Sequence, residues 1–273
     1  MINKTSLVMA VALLAGCGGS DTDDSKLTLS LTDAPVAGVS EVNIFINSIE
    51  LKKNSDTFNF EVNQSINLLD YQGSSSAALL VGVSVDAGQY QYIRLDLDLD
   101  KSTIVDTGGE HSFAMPSATG LKLNSGFILT ANGHSNFTLD FDVAKSLTLT
   151  GTSNYKMRPT IRMIDNSLAG HINGEVASEL LVECSDAKVY AFSGSNTSFD
   201  DLGSSAEPVT SAVVKDNNYE IGFLEEGDYS LYLLCAADDA ETDDDISAVN
   251  QSSINVTVEN KVKTQANISI VLQ

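Results

Sequence analysis

Apolar and polar residues alternate with a period of two along most of this chain, and that pattern restricts the fold more than any other feature. The runs LTLSL (27–31), VNIFINSIEL (42–51), YIRLDLDLD (92–100), FILTA (127–131) and FTLDFDV (137–143) alternate, as do INVTV (254–258) and ISIVL (268–272). Successive side chains of a strand point to opposite faces, so such runs bury one row and wet the other, whereas a helix needs a spacing of three to four. Turn-forming residues separate the runs at 33–38, 86–88, 107–109, 132–134 and 216–218. Short strands punctuated in this way predict an all-β chain, a sandwich or a barrel. The best helical candidate is SSSAALLV (74–81), expected to make one or two turns.

The first residues, MINKTSLVMAVALLAGC, have a different character. Lys4 precedes an unbroken apolar run at 7–15. That run is shorter than the roughly 20 residues a helix needs to cross a hydrocarbon core about 30 Å thick. It suits the apolar segment of a secretory signal peptide, 1–16. LLAGC (13–17) resembles the lipobox of bacterial lipoproteins. The resemblance implies cleavage before Cys17, a diacylglycerol thioether on its sulfur and acylation of the new amino terminus, for instance by palmitate. Buried acyl chains contribute about 0.8 kcal/mol per CH₂, enough to hold a protein at a membrane. Residues 17–26 then read as a lipidated, flexible and solvated tether. In such lipoproteins an aspartate directly after the cysteine marks retention in the inner membrane. Gly18 stands there, so the resemblance implies the outer membrane in a two-membrane cell.

Fifteen basic and 37 acidic residues give a net charge of −22. Such a surface repels phosphate backbones and disfavours nucleic acid as a partner. It favours solubility and attracts cations. Beyond the signal segment no apolar run reaches 18 residues, so no spanning helix is expected. Cys184 and Cys235 remain once Cys17 takes the lipid. An even pair in an oxidising compartment suggests a disulfide closing a loop of about 50 residues. The alternatives are two free buried thiols or a metal site, for which no other ligand stands at suitable spacing.

A boundary is expected near 164–170. YKMRPTIRMI (155–164) reads as a closing strand and DNSLAG (165–170) as a short linker. The division is a domain over 27–165 and a smaller one over 170–273, giving two consecutive β-sandwich domains behind a cleaved lipoprotein signal peptide. The segment at 238–247, DDAETDDDIS, reads as an exposed acidic loop.

Residues 27–164 resemble the domain-of-unknown-function 4382 family of bacterial surface lipoproteins. The resemblance is carried by LTLSLTDAPVAGVSEVNIFINSIEL (27–51), INLLDYQG (66–73), AALL (77–80), DAGQYQYIRLDLD (86–98), PSATGLKL (116–123), LDFDVAKSL (139–147) and YKMRPTIRMI (155–164). It implies a β-rich domain with nothing catalytic. The remainder is similar to carboxypeptidase-regulatory-like domains of prealbumin type, through HINGEV (171–176), KVYAF (188–192), NNYEIGFLEEGDYSLYLL (217–234) and INVTVENKVKTQANISIVL (254–272).

Several acidic groups invite chemistry. Asp96, Asp98 and Asp100 alternate with leucines and would share a strand face, either as the wet face of a half-buried strand or as weak calcium ligands. Asp140 and Asp142 also share a face. They suit ion pairs with Arg94 or Lys145, a cation site with Asp33, or the two carboxyls of a glycoside hydrolase. The acidic loop residues Asp238, Asp239, Glu241, Asp243, Asp244 and Asp245 lack ordered ligand spacing. His111, His134 and His171 lie far apart, and no serine elbow, phosphate loop or dinucleotide fingerprint occurs. The resulting expectation is a non-catalytic, lipid-anchored envelope protein with no cofactor, binding or scaffolding an envelope protein or glycan. The alternatives are an envelope polysaccharide hydrolase using Asp140 and Asp142, or a calcium-stabilised adhesin-like protein.

Overall fold

The computed structural model describes residues 23–269 except 37, 117–119, 151–153, 185, 237, 239, 241–245 and 251. Its strands fall into two sets that share no ladder. The first set holds a four-stranded sheet in the order Thr160–Asp165, His134–Asp142, Asp24–Ala34, Ala77–Asp86. It also holds a sheet in the order Leu121–Leu123, Tyr92–Leu97, Val39–Lys53, Thr103–Asp106, Gly109–His111, with Asp56–Asn67 paired to Val39–Lys53. Leu27, Leu29 and Leu31 from the first sheet meet Ile44, Ile46, Ile49 and Leu95 from the second in one buried cluster. The alternation read from the sequence is therefore what builds this sandwich: one row of each strand faces the shared core.

The alternation ends where strands are covered on both sides. In Asp24–Ala34, every residue from Ser30 onward is buried. In His134–Asp142, every residue from Phe137 onward is buried. These two strands run parallel, with Asp33 opposite Phe141 and Ala34 opposite Asp142.

Three local expectations are corrected. The 74–81 stretch makes no helix; it enters the strand Ala77–Asp86, with Leu80 opposite Leu29 and Ala77 opposite Leu31. Ladder bonds to a central strand outweigh its weak helical propensity. The 155–164 segment is two strands rather than one. Asn154–Met157 pairs with Leu147–Thr150 and Phe113–Ala114, while Thr160–Asp165 pairs with His134–Asp142. Pro159 between them has no N–H to donate and restricts Arg158. The run at 92–100 leaves its strand at Leu97, and Leu99–Lys101 forms a 3₁₀ turn.

The second set has a three-stranded sheet, Asn218–Leu224, Gly170–Glu175, Lys263–Gln265, and a four-stranded sheet, Thr210–Val213, Lys188–Ser193, Gly227–Leu234, Ile254–Val258. Ile172, Val189, Ile221, Leu231 and Leu233 form its core. The turn expected at 216–218 is a two-residue hairpin loop. Asp216 and Asn217 both have positive φ, and Lys215 and Asn218 exchange backbone hydrogen bonds of 2.8 and 2.9 Å. Such loops select Asp and Asn because these tolerate the left-handed region.

The two sets meet. Ala144 of the short helix Val143–Ser146 packs with Tyr190, Phe192, Leu202, Tyr232 and Leu234 of the second set. Gly222 lies so close to Gly73 that a Cβ on it would strike the Gly73 carbonyl.

Candidate functional sites

The sequence motifs LTDAP, LDFDVAKS and RPTIR converge on one buried carboxylate cluster. Asp33, Asp140 and Asp142 are 4%, 4% and 8% exposed, which leaves no room for a polymer between them. Asp140 lies across the ladder from Arg162, and its Oδ2 accepts from Arg162 Nε at 2.6 Å. Asp142 caps the helix Val143–Ser146, accepting from the Lys145 backbone N–H at 3.0 Å, with Lys145 Nζ 3.9 Å from its other oxygen. Asp33 Oδ1 accepts from the Val143 N–H at 3.1 Å, and its Oδ2 has no hydrogen-bond partner among the described residues. Burial pushes the Asp33 carboxyl well above the usual range, with Asp142 and Asp140 adding to the rise. Burial also raises Asp142, to about 6, against the opposing pull of Lys145.

This geometry holds structure together. The expected partner Arg94 pairs instead with Glu50 at 3.2 Å. Lys145 reaches the second set, donating to the Pro208 carbonyl at 2.5 Å and pairing with Glu207 at 3.2 Å. Clefts of about 510 and 520 Å³ exist, and other residues line them. Asp140 and Asp142 thus brace the sheet and the joint instead of flanking a substrate channel.

The other candidates are dispersed. Asp96 alone lies on its strand, exposed, and accepts from Asn47 at 3.2 Å. Asp98 caps the 3₁₀ turn and pairs with Lys101 at 2.7 Å, while Asp100 sits inside that turn. Among the described residues no group of three or more His, Cys, Asp or Glu is placed to hold a metal ion. Cys184 and Cys235 form a disulfide with a Cα separation of 5.0 Å. Asp238 accepts from Tyr190 Oη at 2.7 Å and from the Leu202 N–H at 3.1 Å. Cys17, most of the tether, and the loop residues Asp239, Glu241, Asp243, Asp244 and Asp245 lie outside the described residues.

Two features escaped the sequence. Asp106 accepts from Tyr155 Oη at 2.6 Å and contacts His111 Nε2 at 2.9 Å, bonds that hold its carboxyl down at about 2. The separation of 49 positions between Asp106 and Tyr155 leaves no local signal for this cluster. The second feature is the 510 Å³ cleft, lined by Met115, Leu121, Lys122, Arg158, Pro159 and Ile161 among others. Its residues come from segments that are not adjacent in sequence.

Fold and geometry define an all-β protein of packed sheets whose acidic motif residues serve its packing. Residues 24–159 match the family model DUF4382, a domain of unknown function, as the resemblance over 27–164 implied. None of the curated proteins matches the chain. Similar solved structures include the Bacillus anthracis TIE protein, at 8% identity and a TM-score of 0.24, covering 90% of this chain and 34% of that one. The chain therefore spans about a third of that protein's length. GBS52, the minor pilin of Streptococcus agalactiae, is 10% identical with a TM-score of 0.22, covering 90% and 98%. A fimbrial protein from Bacteroides ovatus is 8% identical with a TM-score of 0.24, covering 91% and 49%. Scores of this size carry no argument about role.

Proposed function

We propose that this chain is a lipid-anchored, non-catalytic protein of the bacterial cell envelope that works as a binding or scaffolding module. The observation that carries the reading is the burial of Asp33, Asp140 and Asp142, each bonded within the fold, to the Val143 N–H, to Arg162 and to Lys145 respectively. The acidic residues best suited to hydrolysis are thereby committed to packing. The anchor rests on LLAGC (13–17), with Cys17 as the lipidated residue and Gly18 favouring the outer membrane. In the same reading, 1–16 is removed, 17–26 is the tether, 27–165 is the first domain and 170–273 is a carboxypeptidase-regulatory-like sandwich. The test is affinity capture from cross-linked envelope extracts with the tagged full chain. A defined envelope protein or glycan recovered with the wild type supports the proposal. Recovery of nothing above a lipid-anchored control, or turnover of envelope polysaccharide that Asp142→Asn abolishes, overturns it.

A further inference from the structure

The seam between the two large sheets of the first set is open on one side. Leu121–Leu123 ends one sheet and Thr160–Asp165 ends the other, and neither has a ladder partner on its outer edge among the described strands. The 510 Å³ cleft lies between these edges, with Met115, Leu121, Pro159 and Ile161 as apolar lining. It continues along the surface. Met115, Pro116 and Arg158 also line a depression of about 250 Å³ with Lys156, and Lys156 and Arg158 line another of about 210 Å³ with Thr148 and Thr150. Shared walls make these one elongated groove, with Lys122, Arg158 and Lys156 along it.

Lys122, Arg158 and Lys156 stand together along this groove in a chain with only 15 basic residues against 37 acidic ones. Arg94, Lys101, Arg162 and Lys263 each hold a carboxylate. Lys156 and Arg158 are exposed and hold none among the described residues, and Lys122 meets only the Tyr92 ring, at 4.0 Å. Unpaired cations beside an apolar floor favour an occupant that is anionic and partly apolar. Open strand edges add unpaired backbone N–H and C=O groups, which an extended peptide satisfies in a ladder and a sugar polymer does not. We propose that the groove binds an extended acidic peptide segment of a partner, laid along an open edge strand, with its carboxylates on Lys122, Lys156 and Arg158 and its alternate apolar side chains on Leu121 and Ile161. The proposal rests on the binding-module reading and names its partner class.

A fluorescein-labelled peptide alternating valine and aspartate, titrated into the full chain in detergent micelles, is the probe. Its anisotropy should report binding that weakens with salt. The double variant Lys156→Ala/Arg158→Ala should weaken it about tenfold or more, the loss of charge-assisted contacts. Lys215→Ala, in the second set, should leave it unchanged. Amide exchange at 121–123 or 160–164 should slow on binding. Unchanged affinity in the double variant overturns the proposal, as does binding of oligogalacturonate with no binding of the peptide. If the peptide fails while envelope capture persists in the double variant, the groove assignment falls and the module reading stands.

Discussion

Asp33 and Asp142 place ionisable groups where water does not reach, and this has a consequence with a definite sign. Both carboxyls are raised by burial, Asp142 to about 6. Between the unfolded value near 4 and that level, the folded chain holds more protons than the unfolded one. Stability must then fall as pH rises through this window. For Asp142 the shift corresponds to about 3 kcal/mol between pH 4 and pH 7. Asp106 works in the other sense, because hydrogen bonds hold it at about 2; its contribution is complete above about pH 4 and is lost only in strong acid. Asp33→Asn keeps an acceptor for the Val143 N–H and removes the ionisation. Its urea midpoint should lie nearest the wild type's near pH 3, below the unfolded value, and exceed it at pH 8. A variant whose midpoint declines with pH as steeply as the wild type would show that Asp33 carries no buried charge.

The elements that matter are those that join others. The helix Val143–Ser146 is a single turn, yet it presents Ala144 to the aromatic residues of the second set and sends Lys145 to Pro208 and Glu207. Lys145→Ala would take the cation from Glu207 Oε2 and the donor from the Pro208 carbonyl, a loss of about 1–3 kcal/mol for a charged hydrogen bond. Urea unfolding should separate into two transitions, and a single cooperative transition as sharp as the wild type would contradict a bracing role. The disulfide ties the segment after Ser178–Leu181 to the end of Gly227–Leu234. Closing a loop of 51 residues stabilises by about 4 kcal/mol in the chain-entropy model. Cys184→Ala/Cys235→Ala should therefore lower the Tm of the second set while near-ultraviolet signals from the first persist. These elements were unevenly legible. Strands with one wet face, such as Val39–Lys53, alternate in sequence as they do in burial. The buried ends of Asp24–Ala34 and His134–Asp142 read as half-exposed, because a polar residue locked in a buried pair looks like a wet one in sequence. The 3₁₀ turn at Leu99–Lys101 scattered the Asp96, Asp98 and Asp100 row for a related reason: alternation continues in the letters after the strand has ended. The groove depended on Leu121–Leu123 and Thr160–Asp165 being sheet edges, which only the strand order reveals.

At the scale of the whole molecule, charge and attachment must be reconciled. A net charge of −22 repels anionic headgroups, so adsorption to a membrane surface is unfavourable, and the proposed lipid on Cys17 would have to supply the attachment. The first strand begins at Asp24, and the seven steps of chain from Cys17 to that strand can span at most about 25 Å. A chain anchored through Cys17 would therefore keep its first sheet within a few Debye lengths of the bilayer, each about 8 Å at physiological salt. The sorting reading makes the sharpest prediction at this scale. Cys17→Ser should abolish incorporation of radiolabelled palmitate and move the chain from the membrane pellet to the soluble fraction. Gly18→Asp should keep the label and the membrane association, and shift the chain from outer-membrane to inner-membrane fractions in a sucrose gradient. Label retained in Cys17→Ser would remove the anchor from the account. An unmoved Gly18→Asp variant would leave the anchor and remove the outer-membrane assignment.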